Sequence, residues 1–287
     1  ASKLFKDLGY NIVGPIDGHD YISLEKAFNI AKESKESIVV HIKTVKGKGY
    51  KYAEEDAGGD WHGVGPFDIE TGKFKIDKND KTWSDIYSNI LFKNMMENKN
   101  IISIVPATGF GSSLKPIFDC FPERTIDVGI AEEHAVAYCS ALAKNGAKAV
   151  FTVMSSFVQR TFDQMMQDWC LNKSPMTMLV YWGGISGADA THLCTFDIPL
   201  ISNIPNMVYL APTSKEEHLA MLEWSVEQTE FPVAIRVPNV ALKSYDFEID
   251  KDYSNINKFK RTQKGEKVAI LGLGNFFALA NDVKLKL

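Results

Sequence analysis

Short runs of aliphatic and β-branched residues alternate along this chain with longer stretches whose apolar side chains recur every three or four positions. Asn11 to Pro15 and Ser37 to Ile42 read as strands. Between them, Ser23 to Ser34 predicts a helix with Leu24, Ala27, Phe28 and Ala31 on one face. The first residues, closing on Gly9, read as the last turns of an amphipathic helix. A second series starts near Thr82. Trp83 to Met96 predicts a helix, Ile101 to Val105 a strand, Thr125 to Val128 a short strand, and Ile130 to Asn145 a helix stopped by Gly146. Further strands are expected at Ala149 to Val153, Met176 to Tyr181, Met207 to Leu210 and Val233 to Val237, with helices over Phe157 to Leu171 and Lys215 to Glu227. The expected fold class is α/β, a mostly parallel sheet flanked by helices.

Two stretches interrupt this pattern. From Lys46 to Lys81 the chain is charged and glycine-rich, and from Lys243 to Lys267 it is charged and dotted with aromatics. A strand is expected to follow at Val268 to Leu271, and Gly272-Leu273-Gly274 after it reads as a tight turn, since no third glycine completes a dinucleotide fingerprint. The expected division is residues 1–53 as the tail of one domain, 54–81 as a linker, 82–242 as a complete domain, and 243–287 as a linker and the start of another. Both ends read as cut, as in a fragment of a longer protein.

Composition narrows the partners. A net charge of −4 gives no electrostatic reason to expect nucleic acid or an anionic membrane. No apolar run is long enough for a bilayer span and no signal pattern opens the chain, so a cytoplasmic location is expected. Cys120, Cys139, Cys170 and Cys194 lie far apart without metal-ligand spacing, which suits free thiols in a reducing compartment.

The candidate chemistry gathers in Asp127-Val128-Gly129-Ile130-Ala131-Glu132-Glu133-His134-Ala135-Val136 and in Phe157-Val158-Gln159-Arg160. Glu132 and Glu133 are first-turn carboxylates that the helix macrodipole favours, and Glu132 equally suits a group that faces a cofactor. Phe157 is either a core side chain or a stacking surface. Arg160, one turn further on, is either the ion-pair partner of Asp163 or Asp168 or a fork for a carboxylate or phosphate. His19, between Asp17 and Asp20, is either a turn residue or an active-site group.

The order of motifs over nearly the whole chain resembles the 1-deoxy-D-xylulose-5-phosphate synthases, thiamine diphosphate enzymes of the transketolase superfamily. The resemblance rests on Leu8-Gly9-Tyr10, Gly14-Pro15-Ile16-Asp17-Gly18-His19-Asp20, His41-Ile42-Lys43-Thr44, Lys46-Gly47-Lys48-Gly49-Tyr50, Phe121-Pro122-Glu123-Arg124, the two stretches above, Gly187-Ala188-Asp189 and Ile235-Arg236-Val237-Pro238. It implies that Glu132 is the carboxyl group on the cofactor's aminopyrimidine nitrogen and Phe157 its stacking partner. It implies that His19 approaches the reacting centre, that Arg160, Asp189 and His192 contact substrate, and that Arg236 binds a phosphate. The reaction implied is condensation of pyruvate with glyceraldehyde 3-phosphate and loss of carbon dioxide, the first step toward isoprenoid precursors, in a homodimer. The cofactors implied are thiamine diphosphate and Mg2+, with no metal ligands in this chain, because the family's Gly-Asp-Gly segment is missing from it.

The sequence also departs from that family. Tyr181-Trp182-Gly183-Gly184 stands where an arginine is usual, Met154 replaces a tyrosine, and Asn239 follows Pro238 where a second arginine is common. The loop carrying Asp189 and His192 is shortened. These differences keep open a ketol transfer on another sugar phosphate, and a non-catalytic subunit that only packs against a partner.

Overall fold

A computed structural model describes residues 2–56, 59–75, 82–109, 111–185, 191–255 and 260–287. The chain forms two compact units, Ala1–Asp77 and Lys78–Leu287. In the first, helix α1 (Ser2–Asp7) leads to strand β1 (Asn11–Asp17), helix α2 (Tyr21–Glu33) and strand β2 (Ile38–Lys43). The two strands pair in parallel, as a helical crossover requires. Asp20 starts α2 by accepting hydrogen bonds from the N–H groups of Ile22 and Ser23.

The expected linker is not structureless. Helix α3 (Lys51–Glu54) and a bridge between Phe67 and Phe74 enclose an aromatic cluster in which Trp61 lies 5.0 Å from Tyr50, 4.8 Å from Phe67 and 5.3 Å from Phe74. Aromatic side chains spaced irregularly along a glycine-rich segment leave no period to read, yet they bury enough area to fold it. The boundary between the units falls inside the residues 54–81 expected as linker.

The second unit is built on one sheet. Its elements are α4 (Trp83–Glu97), β3 (Ile101–Val105), α5 (Lys115–Cys120), β4 (Thr125–Asp127), α6 (Glu132–Lys144), β5 (Lys148–Met154), α7 (Phe162–Gln164), β6 (Thr177–Gly183), α8 (Asp197–Ser202), β7 (Val208–Leu210), α9 (Lys215–Glu227), β8 (Val233–Pro238) and α10 (Phe276–Lys284). The strand order is β4-β3-β5-β6-β8-β7, and every pairing is parallel. Side chains alternate between the faces, as the period of two demands. Val150, Leu179, Tyr181, Val233 and Ile235 pack with Trp83, Tyr87 and Leu91 of α4 and Met221 and Leu222 of α9. Phe151, Val153, Met178, Val180 and Ala234 pack with Ala135, Val136 and Cys139 of α6 and with Met165 and Trp169. Thr82 and Asp85 cap α4 reciprocally. Gly146, at φ +87°, ends α6 while its N–H and that of Ala147 reach back to Ala143 and Leu142, a left-handed stop that glycine adopts without strain.

Two expectations need correction. The segment expected as one helix from Phe157 to Leu171 is a 3-10 turn over Ser155–Thr161, α7, and a π-helical stretch over Met165–Cys170. Val268 to Leu271 forms no strand: among the described residues no neighbour pairs with it, and Val268 and Leu271 are exposed.

Candidate active site

Glu132, Phe157 and Arg160 all follow the carboxyl ends of adjacent or next-but-one strands, where open parallel sheets place their ligand sites. Asp127, the last residue of β4, shapes the approach to α6. Its Oδ1 accepts hydrogen bonds from the N–H groups of Ala107, at 2.8 Å, and Gly129, at 2.9 Å. The turn then delivers Glu132 as the first residue of α6, where the helix dipole favours negative charge.

Glu132 is 3% exposed. Arg160 Nη1 lies 3.0 Å from Glu132 Oε2, and Arg160 Nη2 lies 3.4 Å from Glu133 Oε2. The guanidinium donates one hydrogen bond in this group, from Nη2 to Glu133 Oε1. The approach to Glu132 Oε2 is too oblique for another, so that oxygen is buried without a hydrogen-bond donor. A buried carboxylate oxygen in this state is costly unless something else supplies the donor. One arginine charge is divided between two carboxylates, and the pairing partners are Glu132 and Glu133 where Asp163 or Asp168 was expected. Glu133, named with Glu132 among the first-turn carboxylates, is therefore also a residue of the site. Its place in the first turn next to Glu132 is the signal that pointed to it.

Phe157 is half-buried and packs against the cores on both faces of the sheet. The ring of His192 meets it edge-on, with centroids 5.6 Å apart and planes at 74°. Thr191 Oγ1 is 2.7 Å from His192 Nδ1. Asp189 lies outside the described residues. Trp182, in the position of the expected arginine, has a left-handed backbone at φ +59° and packs its ring against Tyr181 and the α4–α9 core.

Arg236 was expected to clamp a phosphate, but its partner is on its own chain. Its Nε donates to Asp197 Oδ2 at 2.6 Å and its Nη2 to Oδ1 at 3.4 Å, with Arg236 4% and Asp197 1% exposed. Tyr209 donates to the same Oδ2 at 2.7 Å. Burial, and then the adjacent carboxylate, push the Tyr209 hydroxyl well above its usual range, so it remains a donor. Gly183 leaves room for the arginine: a Cβ there would stand 2.6 Å from Arg236 Cγ.

In the first unit, His19 Nε2 accepts a hydrogen bond from the Val45 N–H at 2.8 Å, which places its ring proton on Nδ1. Asp17 Oδ1 accepts from the His19 N–H. Lys46 Nζ lies 2.8 Å from His62 Nδ1. Among the described residues no three His, Cys, Asp or Glu side chains gather as a metal site, and no helix is long and apolar enough to cross a membrane.

The second unit is thus an α/β domain on a parallel sheet, with a buried carboxyl at a helix start and an aromatic on a turn at the same end of the sheet. Residues 79–243 match the transketolase pyrimidine-binding domain, and residues 1–44 match the 1-deoxy-D-xylulose-5-phosphate synthase family model. The chain belongs to the transketolase pyrimidine-binding family. It is similar to the 1-deoxy-D-xylulose-5-phosphate synthases of Shouchella clausii, 34% identical over all of this chain, and Campylobacter hominis, 37% identical over 99% of it. These matches cover 46% and 47% of the relatives, so the chain spans about half their length. Among solved structures, a transketolase from Campylobacter jejuni aligns with a TM-score of 0.55 at 16% identity, over 88% of this chain and 50% of that one. This last likeness concerns the fold alone.

Proposed function

We propose that this chain is the aminopyrimidine-binding part of a thiamine diphosphate-dependent synthase that condenses pyruvate with glyceraldehyde 3-phosphate, releasing carbon dioxide and giving 1-deoxy-D-xylulose 5-phosphate. The reaction would open non-mevalonate isoprenoid precursor synthesis. The observation that carries the reading is Glu132 Oε2, a buried oxygen without a hydrogen-bond donor at a helix start beside an aromatic ring. A ring nitrogen of the cofactor would supply that missing partner. The names of the relatives favour this reaction over ketol transfer or a non-catalytic subunit.

When bound, thiamine diphosphate would supply a nucleophilic carbon and an electron sink for decarboxylation. The chain's own residues do the rest. Glu132 exchanges a proton with the aminopyrimidine nitrogen through Oε2. Phe157 fixes the plane of that ring by stacking. Arg160, half-exposed, has the planar fork that suits the carboxylate of a donor, and Asp189 and His192 contact the same donor. His19 approaches the reacting atoms with its proton on Nδ1. In the same reading Arg236, held by Asp197, binds the acceptor's phosphate. Mg2+ held by ligands outside these residues, a homodimer and a cytoplasmic location belong to the same reading.

The test is to produce this chain within a polypeptide, or with a partner, that supplies the remaining length of its relatives. Pyruvate, glyceraldehyde 3-phosphate, thiamine diphosphate and Mg2+ should give 1-deoxy-D-xylulose 5-phosphate, detected by mass spectrometry. Release of carbon dioxide with formation of another sugar phosphate would replace the substrate assignment.

A further inference from the structure

The loop between β6 and α8 carries His192, which meets Phe157, and it ends at Asp197, which pairs with Arg236. A residue between them fixes it. Cys194 is 2% exposed and has a left-handed backbone at φ +53°, which a residue with a side chain adopts only under strain. Its N–H donates to Ser156 Oγ at 3.3 Å, and its Sγ lies 3.3 Å from the same oxygen. Its carbonyl accepts from the Gly184 N–H at 3.1 Å. Three segments therefore meet at one residue: the end of β6, the turn after β5, and the loop itself.

The spacing gives this junction its consequence. Ser156 immediately precedes Phe157, and Cys194 lies two residues beyond His192. The two rings that face each other across the site are thus held by neighbours bonded to each other. A strained backbone persists only where the surroundings over-determine it, and here the contacts to Ser156 and Gly184 do so.

We propose that Ser156 and Cys194 are positioning residues whose clasp sets the His192 ring against Phe157. In the reaction proposed above, on which this second part rests, the clasp governs how the donor is presented to a ring stacked on Phe157. It leaves the proton exchange at Glu132 untouched.

The clasp is tested first in the 287-residue chain by nuclear magnetic resonance of the His192 ring protons, whose shifts the edge-on Phe157 ring displaces. Ser156→Ala removes both side-chain contacts and moves these signals away from their parental positions. Cys194→Ala keeps the N–H bond and moves them part of the way. Cys194→Ser keeps a hydroxyl in place of the thiol and leaves them as in the parent. Parental His192 shifts in both alanine variants would overturn the clasp. In the assembled enzyme, Ser156→Ala should raise KM for pyruvate about tenfold while kcat changes less than about twofold, the split expected of lost donor positioning. Displaced shifts with parental KM would overturn the role in the reaction. Full turnover in Glu132→Gln would instead remove the cofactor reading and leave the resonance result standing.

Discussion

The two faces of the larger sheet are covered differently. On one, α4 and α9 are regular helices closed by side-chain caps, and they bury Trp83, Tyr87, Leu91 and Leu222 almost completely. On the other, α6 packs against a segment that passes from 3-10 to α to π geometry, and its first residue is a buried carboxylate with an oxygen lacking a donor. Unusual helical geometry and unsatisfied polar atoms are costs that packing alone does not explain. The irregular segment and Glu132 Oε2 lie together at the strand ends, where Glu132, Phe157 and Arg160 meet. The regular face supplies stability, and the irregular one holds side chains in positions that a ligand would complete.

The comparison breaks most readily at Asp197, where charge enters the core. Asp197→Ala would leave Arg236 buried and unpaired, and should lower the unfolding free energy by about 3–5 kcal/mol in urea titration. A loss below about 1 kcal/mol would mean that the guanidinium finds another partner, and that the wall behind the site is softer than its contacts indicate.

The regular face also holds buried polar atoms without hydrogen-bond partners, Trp83 Nε1 and Tyr181 Oη among them, and His218 is the one that ordinarily titrates near neutral pH. His218 on α9 is fully buried against Trp83 and Tyr87, with neither ring nitrogen hydrogen-bonded. Burial pushes it down to about 4. The unfolded chain therefore takes up this proton at higher pH than the folded one. Stability from keeping His218 neutral is intact above the unfolded value near 6.5 and declines as pH falls toward 4, by about 3 kcal/mol across that window. His218→Leu should remove this part of the acid sensitivity. Parallel pH–stability curves for parent and variant would show that another group carries it.

Periodicity made the sheet and its helices readable, because strands buried on both faces and helices with one apolar stripe leave regular marks. α9 begins and ends where the pattern placed it, at Lys215 and Glu227. Side-chain pairings across long separations leave no such mark. The pairing of Arg236 with Asp197 was not readable because the two lie in different elements. Ser156 and Cys194, and Arg160 and Glu133, were hidden for the same reason. The strand expected at Val268 to Leu271 had the right residues, but a strand also needs a neighbour, which local sequence does not report. The aromatic fold around Trp61 was missed because irregular spacing resembles a loop.

The proposal turns on Glu132 Oε2, ion-paired to Arg160 but without a hydrogen-bond donor, exchanging a proton with the cofactor. The direct measurement is kcat of Glu132→Gln in the assembled enzyme with saturating thiamine diphosphate, beside Glu133→Gln. The amide preserves shape and burial but cannot exchange the proton, so Glu132→Gln should lose about 100-fold or more, while Glu133→Gln, which alters only one arm of Arg160, loses far less. Near-parental kcat in Glu132→Gln, or the larger loss in Glu133→Gln, would contradict the claim.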